Sequence, residues 1–147
     1  MTELYRQTLY VEATPDRVFD CFVRPELLVQ WMGDHAQLEA VQGGLFSVDI
    51  NGVLIRGRYV RLDRPTLIEI SWGQAGNEAM PPGSSQLIVT FWPDGQGTMV
   101  ELRHTGLIPE EAMKHAIGWP HFLQRLAGLA RGHDPGPDPW STSPPGK

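Results

Sequence analysis

Residues 98–130, TMVELRHTGLIPEEAMKHAIGWPHFLQRLAGLA, decide the fold. The opening third alternates: Thr98, Val100, Leu102 and His104 share one face at period two, as a half-buried strand does. Thr105-Gly106-Leu107 ends that strand. Pro109-Glu110-Glu111 then opens a helix, because proline fits the first helical position and acidic side chains suit the positive helix end. Farther on, Phe122, Leu123, Leu126, Ala127, Leu129 and Ala130 gather on one side at helical spacing. A last strand handed to an amphipathic helix predicts a sheet that grips a helix, with room for a cavity between them. Pro120 lacks the N–H for an i→i−4 bond. Gly118-Trp119-Pro120 therefore predicts a break, with a short helix over 109–117 and a new helix from Pro120.

The rest of the chain reads outward from that stretch. Residues 4–12, with Tyr5, Thr8, Tyr10 and Val11, are rich in strand formers. Thr14-Pro15-Asp16 is a helix start, with Thr14 as cap, and Val18, Phe19 and Phe22 form its apolar face. Arg24-Pro25 ends that helix, and Pro25-Glu26-Leu27-Leu28 begins a second that closes near Trp31-Met32-Gly33. The period then changes to two. Strands are predicted at 38–41, 46–50, 53–62, 68–72, 87–91 and 98–104. Gly43-Gly44, Asn51-Gly52, Asp63-Arg64-Pro65 and Pro93 to Gly97 supply the turns, and Asn-Gly is a strong two-residue hairpin signal. Gly57 is placed at a bulge or a close backbone approach. Residues 73–84 form a long loop of the kind that often serves as a lid or rim. Residues 132–147, rich in Pro and Gly, are expected to form a mobile tail after a domain spanning 1–131, with Trp140 its one anchor. The element order β-α-α-β6-α makes this an α+β chain with an antiparallel meander.

Composition narrows the function. At 147 residues one domain is expected, large enough to bury roughly two-thirds of its unfolded surface. The net charge of −5, without a Lys/Arg cluster, argues against nucleic acid, whose phosphates must be neutralised. The only cysteine is Cys21, so an intrachain disulfide is excluded and a reducing cytoplasm is expected. No apolar run approaches the roughly 20 residues that span a bilayer, so membrane insertion is not expected.

An ordered set of marks resembles the SRPBCC, or START-like, helix-grip superfamily. The marks begin with Pro15-x-x-Val18-Phe19, Pro25-Glu26 leading to Trp31, Gly43-Gly44, Gly57-x-Tyr59, Pro65 and Trp72. They continue with Thr98-x-Val100-x-Leu102-x-His104-x-Gly106-Leu107 and His115-x-x-Gly118-Trp119-x-x-x-Leu123-x-x-Leu126. Within that superfamily the chain is most similar to the family named for the activator of 90 kDa heat-shock protein ATPase homologue. The resemblance implies a curved antiparallel sheet of about seven strands wrapped on the C-terminal helix. Members of this pattern include ligand-binding proteins, polyketide cyclases or aromatases, and antibiotic-resistance proteins. Co-chaperone members carry an additional N-terminal domain. This chain starts directly with the first strand, so a chaperone partner is the less favoured expectation. Fold does not imply function, and the site must decide.

Five histidines, His35, His104, His115, His121 and His133, match no zinc spacing, so neither a metal nor a cofactor is expected. Cys21 has no basic neighbour to depress its pKa and reads as structural. His104 shares the inward face of Val100 and Leu102. It is the one candidate acid/base, set against the reading of a satisfied histidine that tethers the next turn. Trp31, Trp72 and Trp119 suit the wall of a pocket for a planar apolar ligand, or simple packing. The expected cavity lining adds Phe46, Tyr59, Ile70, Val89, Phe91 and Leu102 from the strands. Met113, Ile117, Phe122 and Leu126 complete it from the helix. Glu69 and Glu101 face outward, and the lack of an inward carboxylate weakens a cyclase reading. The leading expectation is a binder of a small hydrophobic or aromatic molecule, lipids included. The alternatives are a cyclase- or hydrolase-type enzyme using His104 with Tyr59, and a protein-interaction module. A homodimer is compatible with each.

Overall fold

The computed structural model describes residues 3–141. Strand β1 (Glu3–Val11) is followed by helices α1 (Pro15–Val23) and α2 (Pro25–Trp31). Six strands come next: β2 (His35–Leu38), β3 (Leu45–Ile50), β4 (Val53–Asp63), β5 (Leu67–Gln74), β6 (Ser85–Asp94) and β7 (Gly97–Leu107). Helix α3 (Pro109–Ala130) follows, and a short 3-10 turn lies at Pro139–Ser141. The seven strands make one curved antiparallel sheet in the order β1-β7-β6-β5-β4-β3-β2. This is the helix-grip arrangement that the sequence marks implied.

Local chemistry explains the joints. Thr14 Oγ1 caps α1 by accepting from Arg17 N–H, and Pro15 occupies the first helical position. Arg24 is extended, as a residue before proline should be, so α1 stops and α2 starts across one residue. Asn51 and Gly52 both have positive φ, 51° and 87°, the two-residue turn that matches the twist of β3 and β4. At Gly57 a side chain would run into the Ser71 carbonyl, so the glycine serves a close backbone approach. The strand expected at 38–41 sits earlier, at His35–Leu38. The backbone after it is taken up by a turn: Glu39 Oε1 accepts from Leu45 N–H, and Gly44 N–H bonds to Val41 O.

Helix α3 corrects a second expectation. It runs unbroken through Pro120 for 22 residues. The carbonyl that loses its bond belongs to Ala116, and both Ala116 and Pro120 are exposed, so water can serve it. Phe122, Leu123, Leu126, Leu129 and Ala130, buried behind the proline, hold the helix in line.

The core lies between the inward sheet face and the helices. Val100, Leu102, Val89, Phe91, Ile68 and Ile70 meet Phe19 and Phe22 of α1 and Leu123, Leu126 and Leu129 of α3. A fully buried leucine or phenylalanine contributes roughly 1.5–3 kcal/mol. Phe22 is the hub, edge-on to Trp31 at 5.0 Å and to Phe91 at 5.6 Å. Outside, Glu101 pairs with Arg6 at 2.8 Å, as an outward residue should.

The expected mobile tail begins at 132, and its residues 142–147 lie outside the described residues. Residues 132–141 lie along α3. Arg125 donates to the carbonyls of Gln30 and Gly136 at 3.0 and 2.8 Å, joining α2 to this segment. His121 bonds Asp138 at 2.8 Å, and the Trp140 ring stacks on the His121 ring at 3.6 Å.

Candidate functional site

Helix α3 meets the sheet differently along its length. Its C-terminal half lies against β1 at one edge, where Ala127 and Gly128 come beside Tyr10. Its N-terminal half spans the end formed by β3, β4 and β5, and a cleft of about 280 Å³ remains beneath it. Met32, Ile50, Val53 and Ile55 form one wall, Trp72 and Trp119 another, and Phe122 and Trp140 a third. The polar lining is Asn51, Gln74, Glu111, Lys114 and His115. A cavity of about 150 Å³ can hold benzene, so this one has room for a molecule of one to two rings.

Of the expected lining residues, Trp72, Trp119 and Phe122 meet in the cleft. Phe46, Ile70, Val89, Phe91, Leu102 and Leu126 are buried in the core instead. Trp31 is also core: its indole N–H donates to Cys21 O at 2.8 Å. Tyr59 does not present its hydroxyl to the cleft, because it donates to Phe22 O at 2.9 Å, and burial pushes the phenol well above its usual pKa. Met113 and Ile117 stand on the solvent side of α3, 71% and 57% exposed. The cause is helical phase. At about 100° per residue Met113 lies about 180° from Phe122, whereas Glu111 and His115 lie within about 20° of it. The stripe Glu111, His115, Trp119, Phe122, Leu126 is continuous only if the helix continues through Pro120. The expectation of a break hid that register. The 75–84 loop contributes no lining residue, being folded onto the end of β5 by Gln74 N–H to Met80 O and by Asn77 Oδ1, which accepts from Ala79 and Met80.

Cys21 is buried, and burial pushes its thiol up to about 11, which fits a structural role. His104 is fully buried between β6 and α3. Trp119 Nε1–H, which can only donate, points at His104 Nδ1 at 3.2 Å. Nδ1 is therefore bare and Nε2 carries the proton. Nε2 donates to Ser85 Oγ at 2.9 Å, and the Ser85 hydroxyl donates to Trp72 O at 2.8 Å. This network leaves His104 neutral with both nitrogens used. Burial, with a smaller contribution from His115, drives its pKa down to about 2. The geometry fits the satisfied, tethering histidine, not an acid/base.

His115 is different. Its ring lies 4.8 Å from that of His104, edge to face, and lines the cleft. Its Nδ1 bonds Glu111 O at 2.7 Å, and a carbonyl only accepts, so Nδ1 holds the proton. Nε2 is then a bare acceptor, with no partner among the described residues. Burial lowers its pKa against a smaller raising effect of the Glu111 carbonyl and carboxylate. Glu111 itself is 5% exposed in the first turn of α3, where the helix dipole favours an anion. Gln74 Nε2 reaches its Oε1 at 3.1 Å and Lys114 Nζ its Oε2 at 3.3 Å. This is the inward carboxylate that strand parity alone did not disclose. Trp72 Nε1 is buried without a partner among the described residues, a cost of roughly 1–3 kcal/mol. No group of three or more metal-ligating side chains converges among the described residues, and no helix there is long and apolar enough to cross a membrane.

The family model described as Activator of Hsp90 ATPase homolog 1-like protein matches residues 12–131. An AHSA1-like protein from Rhizobium etli is 34% identical in sequence, with a TM-score of 0.74 over 95% of this chain and 89% of that one. CalU16 from Micromonospora echinospora is 24% identical, with a TM-score of 0.71 over 95% of this chain and 78% of that one. The Aha1 dimer from Colwellia psychrerythraea is 17% identical, with a TM-score of 0.76 over 88% and 97%. The last two likenesses concern the fold alone. No curated protein matches the chain at a significant level.

Proposed function

The chain belongs to the Activator of Hsp90 ATPase homolog 1-like family, and from that premise and the cleft under α3 we propose that it binds one small, mostly apolar aromatic molecule. The observation that carries the reading is the cleft itself. About 280 Å³ lies between Trp72, Trp119, Phe122 and Trp140, and this cleft, unlike hollows of similar size beside residues 133–139, is lined mostly by apolar side chains. Aromatic walls with a few convergent polar groups are the usual make-up of a small-molecule site. Indole and phenyl faces match flat rings, at about 0.5–1.5 kcal/mol per well-placed pair beyond area burial.

Acid/base chemistry on the bound molecule is the second reading. His115, with Nδ1 fixed on a carbonyl and Nε2 bare beside a buried Glu111, would be its base in place of His104.

The test is a thermal-shift and tryptophan-fluorescence screen of one- and two-ring aromatics, together with mass spectrometry of small molecules released from protein purified from its host. Saturable stabilisation by flat aromatics is expected. No stabilisation across the panel and no released molecule would refute the binding reading. If a bound compound is turned over, His115→Gln should slow that turnover; an unchanged rate removes the second reading.

A further inference from the structure

The geometry points to a ligand that carries a hydroxyl on its aromatic frame and donates that hydroxyl's proton to His115 Nε2. The inference rests on the cleft being a ligand site, and it names the chemistry that site selects. His115 supplies an acceptor and no donor, since its single proton is spent on the Glu111 carbonyl at 2.7 Å. The ring cannot turn to offer Nδ1–H without leaving that carbonyl and its contacts with His104 and Trp72. Glu111 lies one helical turn away on the same wall, and both its oxygens are engaged, by Gln74 and Lys114. Glu111 is 5% exposed and already paired with Lys114, so it offers a ligand ammonium little access, and its charge disfavours a ligand carboxylate. Beyond these groups the lining holds Asn51, at the β3–β4 turn, and the Trp72 Nε1–H donor, and is otherwise apolar. Of the common polar groups on small aromatics, a neutral hydroxyl answers this lining best. It completes the acceptor, adds no charge to a low-dielectric space, and leaves its ring to the indoles.

The titratable and charged groups near His115 are Glu111 and Lys114 on its own helix and His104 on β7. Burial lowers the His115 pKa from its ordinary value of about 6.5, which favours the neutral acceptor at pH 7.5.

The experiment is calorimetric titration of the full chain at pH 7.5 with three matched compounds: 2-naphthol, 2-methoxynaphthalene and 2-naphthoate. They share a frame and differ in offering a donor, an acceptor only, or an anion. One hydrogen bond to a neutral group should make 2-naphthol bind roughly five- to tenfold tighter than 2-methoxynaphthalene. 2-Naphthoate should be the weakest. In His115→Phe the gap between the first two should close to within about twofold, with 2-methoxynaphthalene affinity kept. His115→Gln, whose amide oxygen can still accept, should restore part of the gap. Equal binding of naphthol and its methyl ether by the unaltered protein overturns the hydroxyl anchor and leaves the cleft reading standing. Tightest binding by naphthoate overturns the anchor as well and assigns the polar end to Lys114. If none of the three binds, both the anchor and the cleft reading fail.

Discussion

The two halves of α3 are parts of one helix and do opposite work. From Phe122 to Ala130 the helix faces the sheet with Leu123, Leu126 and Leu129, and little space is left. From Pro109 to Gly118 the side chain it buries is Glu111, and a cleft lies below. Apolar area builds the fold in one half, where dispersion and hydrophobic burial are strongest. In the other half the helix is held away from the sheet by large rings, Trp72 and Trp119, and by the polar pins of Glu111. Stability and binding are thereby placed on different turns of the same element.

That division can be broken most visibly from its packed half. Leu126→Ala should cost about 2–5 kcal/mol by urea unfolding, as at a fully buried leucine, with ligand affinity unchanged in the molecules that remain folded. A loss under 1 kcal/mol would mean that the helix does not carry the fold there. His104→Leu comes next, because it strands Trp119 Nε1–H and the Ser85 hydroxyl loses its donor; about 1–3 kcal/mol should be lost.

The same residue gives a pH signature. Its folded pKa lies far below the unfolded value of about 6.5, so the unfolded state binds the proton first. Its contribution is complete above about pH 6.5 and declines as pH falls toward the folded value, by up to about 1.4 kcal/mol per unit. Between pH 7 and 5 the unaltered protein should lose stability more steeply than His104→Leu. Parallel curves would contradict the neutral, saturated histidine.

Trp140→Ala should act on the open half. It removes a cleft wall stacked on His121, so 2-naphthol affinity should fall by about 0.5–1.5 kcal/mol while urea unfolding changes less. Smallest of all is Ile117→Ser, on the solvent face, which should stay within about 0.5 kcal/mol in stability and leave binding alone.

Much of this architecture was legible in residue patterns. Period-two runs, Thr14-Pro15, Asn51-Gly52 and the Thr98–His104 strand each obey a local rule, and local rules decide strands, caps and turns. The site was less legible, because it depends on phase. A proline inside a helix usually breaks it, and here exposure of Ala116 and Pro120 lets water offset the lost hydrogen bond. Once the helix is continuous, Met113 and Ile117 turn outward, and Glu111 and His115 turn inward. Gln74, Met32 and Trp140 reach the cleft through tertiary packing, for which no spacing in the chain gives a sign. His104 was rightly placed inside by parity, but its two hydrogen-bond partners, from β6 and α3, are long-range and invisible to pattern.

The most direct test of a cleft under the N-terminal half of α3 is an NMR titration of the tryptophan indole N–H resonances with 2-naphthol. The resonances of Trp72, Trp119 and Trp140 should shift together along one saturable isotherm, while Trp31, locked on Cys21 O in the packed core, stays fixed. Shifts confined to Trp31 or to exposed Trp92, or none at all, would contradict the account.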